Sequence, residues 1–168
     1  MQRQYARNAF TDSPFSLRSS PMTLAMTSIE DRIAIQDLLT RYCCAIDEGD
    51  VEGVLACFTQ NSRLESNSIG PSPGQGGANI LAEHMARLRA EGYQFRHILT
   101  NFRIEADGDR GRIRCYLVDL VTFNNETELL SPCEYDCDVV RREGRWLIER
   151  RRVHIDRQFV LAGLPQRK

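Results

Sequence analysis

The strongest constraint on this chain is a change in the spacing of its apolar residues. In the first half they recur at helical intervals: four of them, separated by four, three and four positions, are Ile35, Leu39, Tyr42 and Ile46. This spacing places them on one face of a helix. In the second half, apolar and polar residues alternate, as over 112–123, which is typical of a half-buried strand. Helices followed by hairpin-linked strands predict an α+β domain with an antiparallel sheet.

Capping and turn residues divide the chain into elements. Ser28 and Asp31 resemble a capping box that starts the first helix, and Gly49 is suited to end it. The segment 69–77 is rich in Gly and Pro and predicts a loop. We predict further helices over 51–58 and 78–91, a short strand over 62–67, and long strands over 95–106, 112–123, 134–142 and 145–160.

Length and charge limit the classes of function. A chain of 168 residues fits one domain, for which we expect the bounds 28–160, with tails at 1–27 and 161–168. The net charge of −1 gives no basic field for nucleic acid. No apolar run approaches the roughly 18–20 residues that cross a bilayer, and the first 25 residues lack the apolar core of a secretion signal. We therefore expect a soluble, cytoplasmic protein that binds neither nucleic acid nor membrane.

Residue types that hold metals are present without the required spacing. The six cysteines include no Cys-x-x-Cys pair, so we expect reduced and mostly buried thiols. The three histidines show no metal-binding spacing, and no phosphate loop or nucleophile elbow occurs. The sequence predicts no metal and no cofactor.

Arginines cluster in the last two predicted strands, at Arg141, Arg142, Arg145 and 150–152. Such a cluster could indicate an anionic partner. Salt-bridged positions on the solvent face of the strands, balanced by Glu143 and Glu149, are the better interpretation, because opposite charges commonly pair across neighbouring strands.

Asp119 is the candidate that physical reasoning singles out first. It falls on the apolar face of its predicted strand, which carries Ile113, Cys115, Leu117, Val121 and Phe123. A carboxylate in such surroundings must be paired, protonated or functional. A structural ion pair with an arginine and a role in a site are equally compatible with the pattern.

His97 shares a predicted strand face with Phe95, Leu99 and Asn101. An imidazole there is either a hydrogen-bonded core residue or a base. Asp47 ends the first helix, where the helix dipole disfavours a negative charge and calls for a compensating partner. By position alone, Asp47 would more often be a surface acid.

Tyr42 and His154 complete the set of candidates. Tyr42 lies on the inward stripe of the first helix, where a core tyrosine with a satisfied hydroxyl is the commoner case. His154 lies in the last strand on a face with Arg152 and Asp156. Taken alone it would more often be a surface or structural histidine.

Three stretches together resemble the SnoaL-like branch of the nuclear-transport-factor-2-like superfamily: IEDRIAIQDLLTRYCCAIDEGDVEGVLACF, FRHILTNFRIEADGDRGRIRCYLVDL and REGRWLIERRRVHIDR. The resemblance runs from about Ser28 to Gln158. It implies a conical barrel in which a curved antiparallel sheet wraps around the N-terminal helices. It also implies a homodimer or homotrimer.

Enzymes of this superfamily, such as scytalone dehydratase and bile-acid 7α-dehydratase, use an Asp and a His that face each other in the cone. The matching positions are Asp47 and His97. The resemblance to the bile-acid enzyme adds Tyr42 as a catalytic residue and Asp119 in the next strand. It departs at the final-strand arginine, which is replaced by His154. The implied site is catalytic at Asp47, His97 and Tyr42, and binds substrate through Asp119, His154 and Asn101.

The function that follows is a cofactor-independent dehydratase or isomerase acting on a small hydrophobic molecule, such as a polyketide, steroid or terpenoid. Two alternatives stay open. One is a non-catalytic binding or structural subunit, like the small subunit of aromatic-ring dioxygenases. The other is an epoxide-opening hydrolase, which would need an Asp and an Arg around a water.

Overall fold

The computed structural model describes residues 27–66, 72–73, 75–130 and 132–156. Within these ranges the helices are α1 Ile29–Glu48, α2 Val51–Leu55 and α3 Gln75–Ala90. The strands are β1 Phe58–Ser66, β2 Ser72–Pro73, β3 Gln94–Asp107, β4 Arg110–Phe123, β5 Glu126–Leu129, β6 Cys133–Arg142 and β7 Arg145–Ile155. Residues 1–26 of the predicted N-terminal tail, residues 157–160 and the predicted C-terminal tail lie outside the described residues.

The strands form one curved, open sheet in the order β2-β1-β7-β6-β4-β3, with β5 paired to β4. The predicted α+β architecture, with N-terminal helices against a curved sheet, is confirmed. Two details differ from the prediction. The described strands do not close into a barrel, and β1 runs parallel to β7. The chain enters β1 from α2 and leaves through β2 and α3, so no hairpin ties β1 antiparallel to β7.

Helix α1 forms where the capping sequence predicts it. The side chain of Ser28 accepts a hydrogen bond from the backbone N–H of Asp31 at 3.0 Å, and Gly49 ends the helix with a φ of 71°. Its buried face contains the predicted stripe and is completed by Leu38, Cys43 and Ala45. This face packs into the main core against the inner side of the sheet.

Several element boundaries differ from the prediction. Phe58 begins β1 rather than ending α2, and β1 is longer than the strand predicted over 62–67. The predicted loop 69–77 contains β2 and the first turn of α3. Strand β5 was not predicted, because Glu126–Leu129 is exposed throughout and therefore lacks apolar alternation.

A bulge in β3 shifts the face that its side chains present. The register with β4 breaks between Thr100 and Arg103, and Asn101 has a φ of 55°. Before the bulge, odd-numbered residues such as Phe95 face inward, whereas after it Ile104 is the buried residue. One extra residue in a strand therefore reverses the pattern for the rest of the strand.

A second bulge lies in β7. Val139 pairs with Ile148, but its neighbour Asp138 pairs with Arg150, so Glu149 is the extra residue. Trp146 and Ile148 are buried before it, and Arg151 and Val153 after it. The bulge thus brings an arginine to the inner face of the sheet.

Two smaller expectations can be compared directly. None of the six cysteines forms a disulfide, and five of them are buried, as predicted. Within the described part of the chain, no helix is long and apolar enough to span a membrane.

Candidate active site

A cavity of about 250 Å³ lies between α1, α3 and the inner face of the sheet. Its wall is largely apolar and includes Ile46, Leu81, Met85, Leu88, Phe95, Leu117, Leu130 and Val153. The polar side chains on the wall are few: Tyr42, Ser66, His84, His97, Asp119, Tyr135 and Arg151. An apolar cavity with a few convergent polar groups is the usual form of a small-molecule site.

His97 and Asp47 are in direct contact at the edge of this cavity. Nδ1 of His97 lies 2.6 Å from Oδ1 of Asp47, and the backbone N–H of His97 donates to Oδ2 at 3.1 Å. The carboxylate therefore holds both the ring and the backbone of the strand residue. The contact that the sequence led us to expect is present, and it supplies the compensation that an acid at the end of α1 requires.

The surroundings of His97 favour its protonated form. Burial alone would lower the pKa of the imidazole, but the hydrogen bond with Asp47 and the charges of Asp119 and Asp47 outweigh it. The pKa is therefore raised above its ordinary value. Because Nδ1 is engaged by Asp47, Nε2 is the ring nitrogen left to meet a ligand.

Asp119 lies beside the same ring. Its Oδ1 is 3.9 Å from Nδ1 of His97, and this oxygen is buried without a hydrogen-bond partner among the described residues. The pKa of Asp119 is raised to about 6, chiefly because the carboxyl is buried. Of the smaller effects, the charge of His97 lowers this pKa and the charge of Asp47 raises it. No arginine among the described residues pairs with Asp119, which leaves the other alternative, a role in a site, for this carboxyl beside His97 on the cavity wall.

Tyr42 and Arg151 form a second polar group of the cavity. The guanidinium of Arg151 donates a hydrogen bond from Nη1 to the hydroxyl of Tyr42. It also lies 5.0 Å from the ring centre of Tyr42 and 5.2 Å from that of Tyr135. Burial lowers the pKa of Arg151 to about 10, so the group stays charged at neutral pH.

Asp47 does not line this cavity. It lines a second one, also of about 250 Å³, whose wall includes Thr40, Cys43, Cys44 and His97. Tyr42 and Asp47 lie about 140° apart around a regular helix, so they face different spaces. His97 is the side chain that lines both cavities, with Asp47 on one side and the substrate-sized space on the other.

Two predicted substrate-binding residues, Asn101 and His154, do not reach the cavity, and both bulges explain why. Asn101 is exposed, because it is the bulged residue of β3 itself. His154 is exposed on the outer face of β7, beside Glu134 of β6, because the bulge at Glu149 turned the even-numbered residues outward. Both expectations are corrected.

Arg151 is the charged cavity residue that sequence reasoning missed, and Ser66, His84 and Tyr135 are further polar wall residues that it did not predict. The interpretation of the arginine cluster as salt-bridged positions on the outer face holds for Arg150 and Arg152, although their partners are Asp136 and Asp138 rather than the expected Glu143 and Glu149. It fails for Arg151, which is 7% exposed. The signal in the sequence was weak: only a shift of the apolar positions from even numbers to Val153 hints at a bulge.

Among the described residues, no group of three or more His, Cys, Asp or Glu side chains is arranged to hold a metal ion. The groups around the cavity that could take part in chemistry are thus the carboxylate of Asp119, the imidazole of His97 with Asp47 behind it, the phenol of Tyr42 and the guanidinium of Arg151. Such a set can transfer protons and bind oxygen atoms.

The fold and this cavity define a class of small α+β proteins that enclose a site between helices and a curved sheet. Residues 27–152 match the SnoaL-like domain, and the chain belongs to that family. The family includes polyketide cyclases and dehydratases.

Comparisons with individual proteins are consistent with this assignment. The chain is 27% identical to the uncharacterized protein Rv2910c of Mycobacterium tuberculosis over 130 residues, which cover 76% of this chain and 87% of the relative. A variant of Rv3472, an M. tuberculosis protein of unknown function, superposes with a TM-score of 0.69 at 26% identity, covering 81% of each chain. A Novosphingobium aromaticivorans protein provisionally assigned as a scytalone dehydratase shares the fold at 16% identity, with a TM-score of 0.67 over 82% of this chain and 97% of that one.

Proposed function

We propose that this protein is a cofactor-independent acid–base enzyme, a dehydratase or isomerase that acts on a small, largely apolar molecule. The observation that carries the proposal is the 2.6 Å contact between Nδ1 of His97 and Oδ1 of Asp47, with the ring on the wall of an apolar cavity. A base held in one orientation, backed by a carboxylate and shielded from bulk water, is what proton abstraction from carbon requires.

In the proposed reaction, neutral His97 removes a proton from a carbon next to a carbonyl through Nε2. Asp47 keeps Nδ1–H directed toward itself and stabilises the imidazolium that forms. For a dehydration, the C–O bond at the neighbouring carbon then breaks, and the leaving hydroxide takes a proton and departs as water. For an isomerisation, the proton returns to a different carbon.

Tyr42 and Asp119 are the proposed partners of the oxygen atoms. The hydroxyl of Tyr42 accepts from Arg151, so its own hydrogen is free to bind a carbonyl or a leaving hydroxyl. Asp119, with a pKa of about 6, carries a proton in part of the molecules near neutral pH. It can therefore supply that proton to the leaving oxygen.

The cavity favours a compact substrate. Its volume of about 250 Å³ lies just below the range of roughly 300–1,000 Å³ usual for drug-sized ligands. Of the substrates suggested by the resemblance, one- or two-ring polyketide or terpenoid molecules fit this volume better than a steroid.

The alternatives find less support. An epoxide-opening hydrolase would need an Asp and an Arg close to one water, but Arg151 lies within 4 Å of no carboxylate among the described residues. A purely structural subunit would need no open cavity, whereas this protein has a cavity with His97, held from behind by Asp47, on its wall. The remaining alternative is a protein that binds the same ligands without converting them, and the experiment must distinguish it from the proposed enzyme.

The experiment is a screen of small β-hydroxy ketones and β,γ-unsaturated ketones as substrates. Turnover is measured as the rise in ultraviolet absorbance when a conjugated enone forms. We expect His97→Ala to reduce turnover by at least a hundredfold, in the range of a lost general base, and Asp47→Asn to fall nearly as far. His154→Ala is the matched control, because it removes an imidazole from the outer face. Turnover that survives His97→Ala unchanged would contradict the proposal.

A further inference from the structure

Arg151 is a buried cation that the proposed proton transfer does not use. The residue is 7% exposed, yet it lines the cavity together with His97 and Asp119. Burying a guanidinium costs several kcal/mol unless a counter-charge or strong hydrogen bonds replace the lost water. The contacts of the Arg151 guanidinium therefore indicate its role.

The described residues leave the guanidinium only partly satisfied. Nη1 donates to the hydroxyl of Tyr42, and the rings of Tyr42 and Tyr135 flank the group. Nε is buried and has no hydrogen-bond partner in the described part of the chain. No carboxylate there lies within salt-bridge distance of Arg151, and burial is the one cause that shifts its pKa. Outside the described residues the sequence holds a single acidic side chain, Asp12.

Neighbouring arginines show how unusual this is within the same sheet. Arg112 and Arg152 both contact Asp136, and Arg150 contacts Asp138. Each of these cations lies on the outer face and has its carboxylate within 3.0 Å. Arg151, which turns inward, has no such carboxylate among the described residues, although it is the most buried of these arginines.

We propose that Arg151, oriented by Tyr42, binds the carboxylate of the ligand, so that the cavity selects small apolar carboxylic acids over their neutral analogues. A guanidinium presents parallel N–H groups that match the two oxygens of a carboxylate. The ligand would supply the counter-charge that Arg151 does not find among the described residues. That the ligand is a substrate rests on the proposed function, whereas its binding does not.

The arrangement gives the two ends of the cavity different tasks. The acid group of the ligand would lie against Arg151, and the apolar body against residues such as Leu81, Met85 and Leu117. Binding energy from the carboxylate then positions the reacting carbon near His97, without the charged group taking part in the reaction.

The test compares two matched probe pairs, trans-cinnamate with cinnamamide and benzoate with benzamide, by isothermal titration calorimetry at pH 7.5. Each pair has nearly the same shape and differs in charge. We expect the wild-type protein to bind each acid at least tenfold more tightly than its amide. Equal affinity for acid and amide would overturn the proposal.

Arg151→Met should abolish the preference for the acid while leaving binding of the amide within about threefold. Arg150→Met, a matched control one residue away on the outer face, should keep the preference in full. His97→Ala should also keep it, so a protein that binds acids but converts nothing would contradict the proposed function and still support this inference. A preference that survives Arg151→Met would overturn the inference.

A measurement on the unaltered protein covers the case in which Arg151→Met does not fold. The Nε–H resonance of Arg151 should shift in a nitrogen-15 spectrum when trans-cinnamate is added, because this donor has no hydrogen-bond partner in the part of the chain that the structure describes. Cinnamamide at the same concentration should leave it in place. A resonance that ignores the acid would contradict the proposal as directly as the calorimetry.

Discussion

At the scale of single residues, the site depends on what each polar group finds when it is buried. Asp47 meets the ring and the backbone N–H of His97, whereas Oδ1 of Asp119 meets no hydrogen-bond donor among the described residues. An ionised carboxyl with few donors destabilises the fold, and the same carboxyl when protonated does not. Asp119 therefore links stability to pH as well as serving the proposed reaction.

This difference gives a prediction for Asp119→Asn. The folded protein raises the pKa of Asp119 from 3.8 to about 6, so it binds the proton more tightly than the unfolded chain does. Stability should fall as pH rises from about 4 to above 6. The Asn variant has no carboxyl to ionise and avoids that loss. The free energy of unfolding of the variant minus that of wild type should therefore be up to about 3 kcal/mol larger at pH 8 than at pH 4. Urea unfolding at both pH values checks this, and an equal difference at the two would contradict it.

At the scale of elements, the two bulges decide which side chains reach the cavity. The order of helices and strands could be predicted because apolar spacing and turn residues are local signals. Tyr42 could be placed inward from the helical spacing of α1, and His97 and Asp119 from strand alternation that no bulge interrupts before them. The faces of Asn101 and His154 could not be predicted, because a bulge depends on the pairing of neighbouring strands. The inward position of Arg151 could not be predicted from the sequence for the same reason.

The bulge at Asn101 leads to a prediction about the stability of variants at this position. Its φ of 55° lies in the left-handed region, which Asn and Gly tolerate and β-branched residues do not. Asn101→Val should therefore lower the free energy of unfolding by about 1–3 kcal/mol. Asn101→Gly, the matched control, should stay within about 1 kcal/mol of wild type. Chemical denaturation measures both, and a Val variant as stable as the Gly variant would show that the bulge is not held at this residue.

At the scale of the whole molecule, helices and sheet together enclose a space that neither forms alone. The end of α1 brings Asp47 to the outer side of His97, while α3 and the inner face of the sheet close the cavity on the other side. One imidazole thus separates a carboxylate from a ligand-sized space. The expected homodimer or homotrimer stays a prediction, and the account of the site does not depend on it.

The central claim, that Asp47 tunes His97 as a base, can be measured without knowing the substrate. The imidazole of His97, assigned by its loss in His97→Ala, can be followed by NMR as pH is varied in wild type and in Asp47→Asn. We predict a pKa above the ordinary value of 6.5 in wild type and a clear fall in Asp47→Asn, because the hydrogen bond and its negative charge are removed while burial remains. A His97 pKa at or below 6.5 that is the same in both proteins would contradict the account.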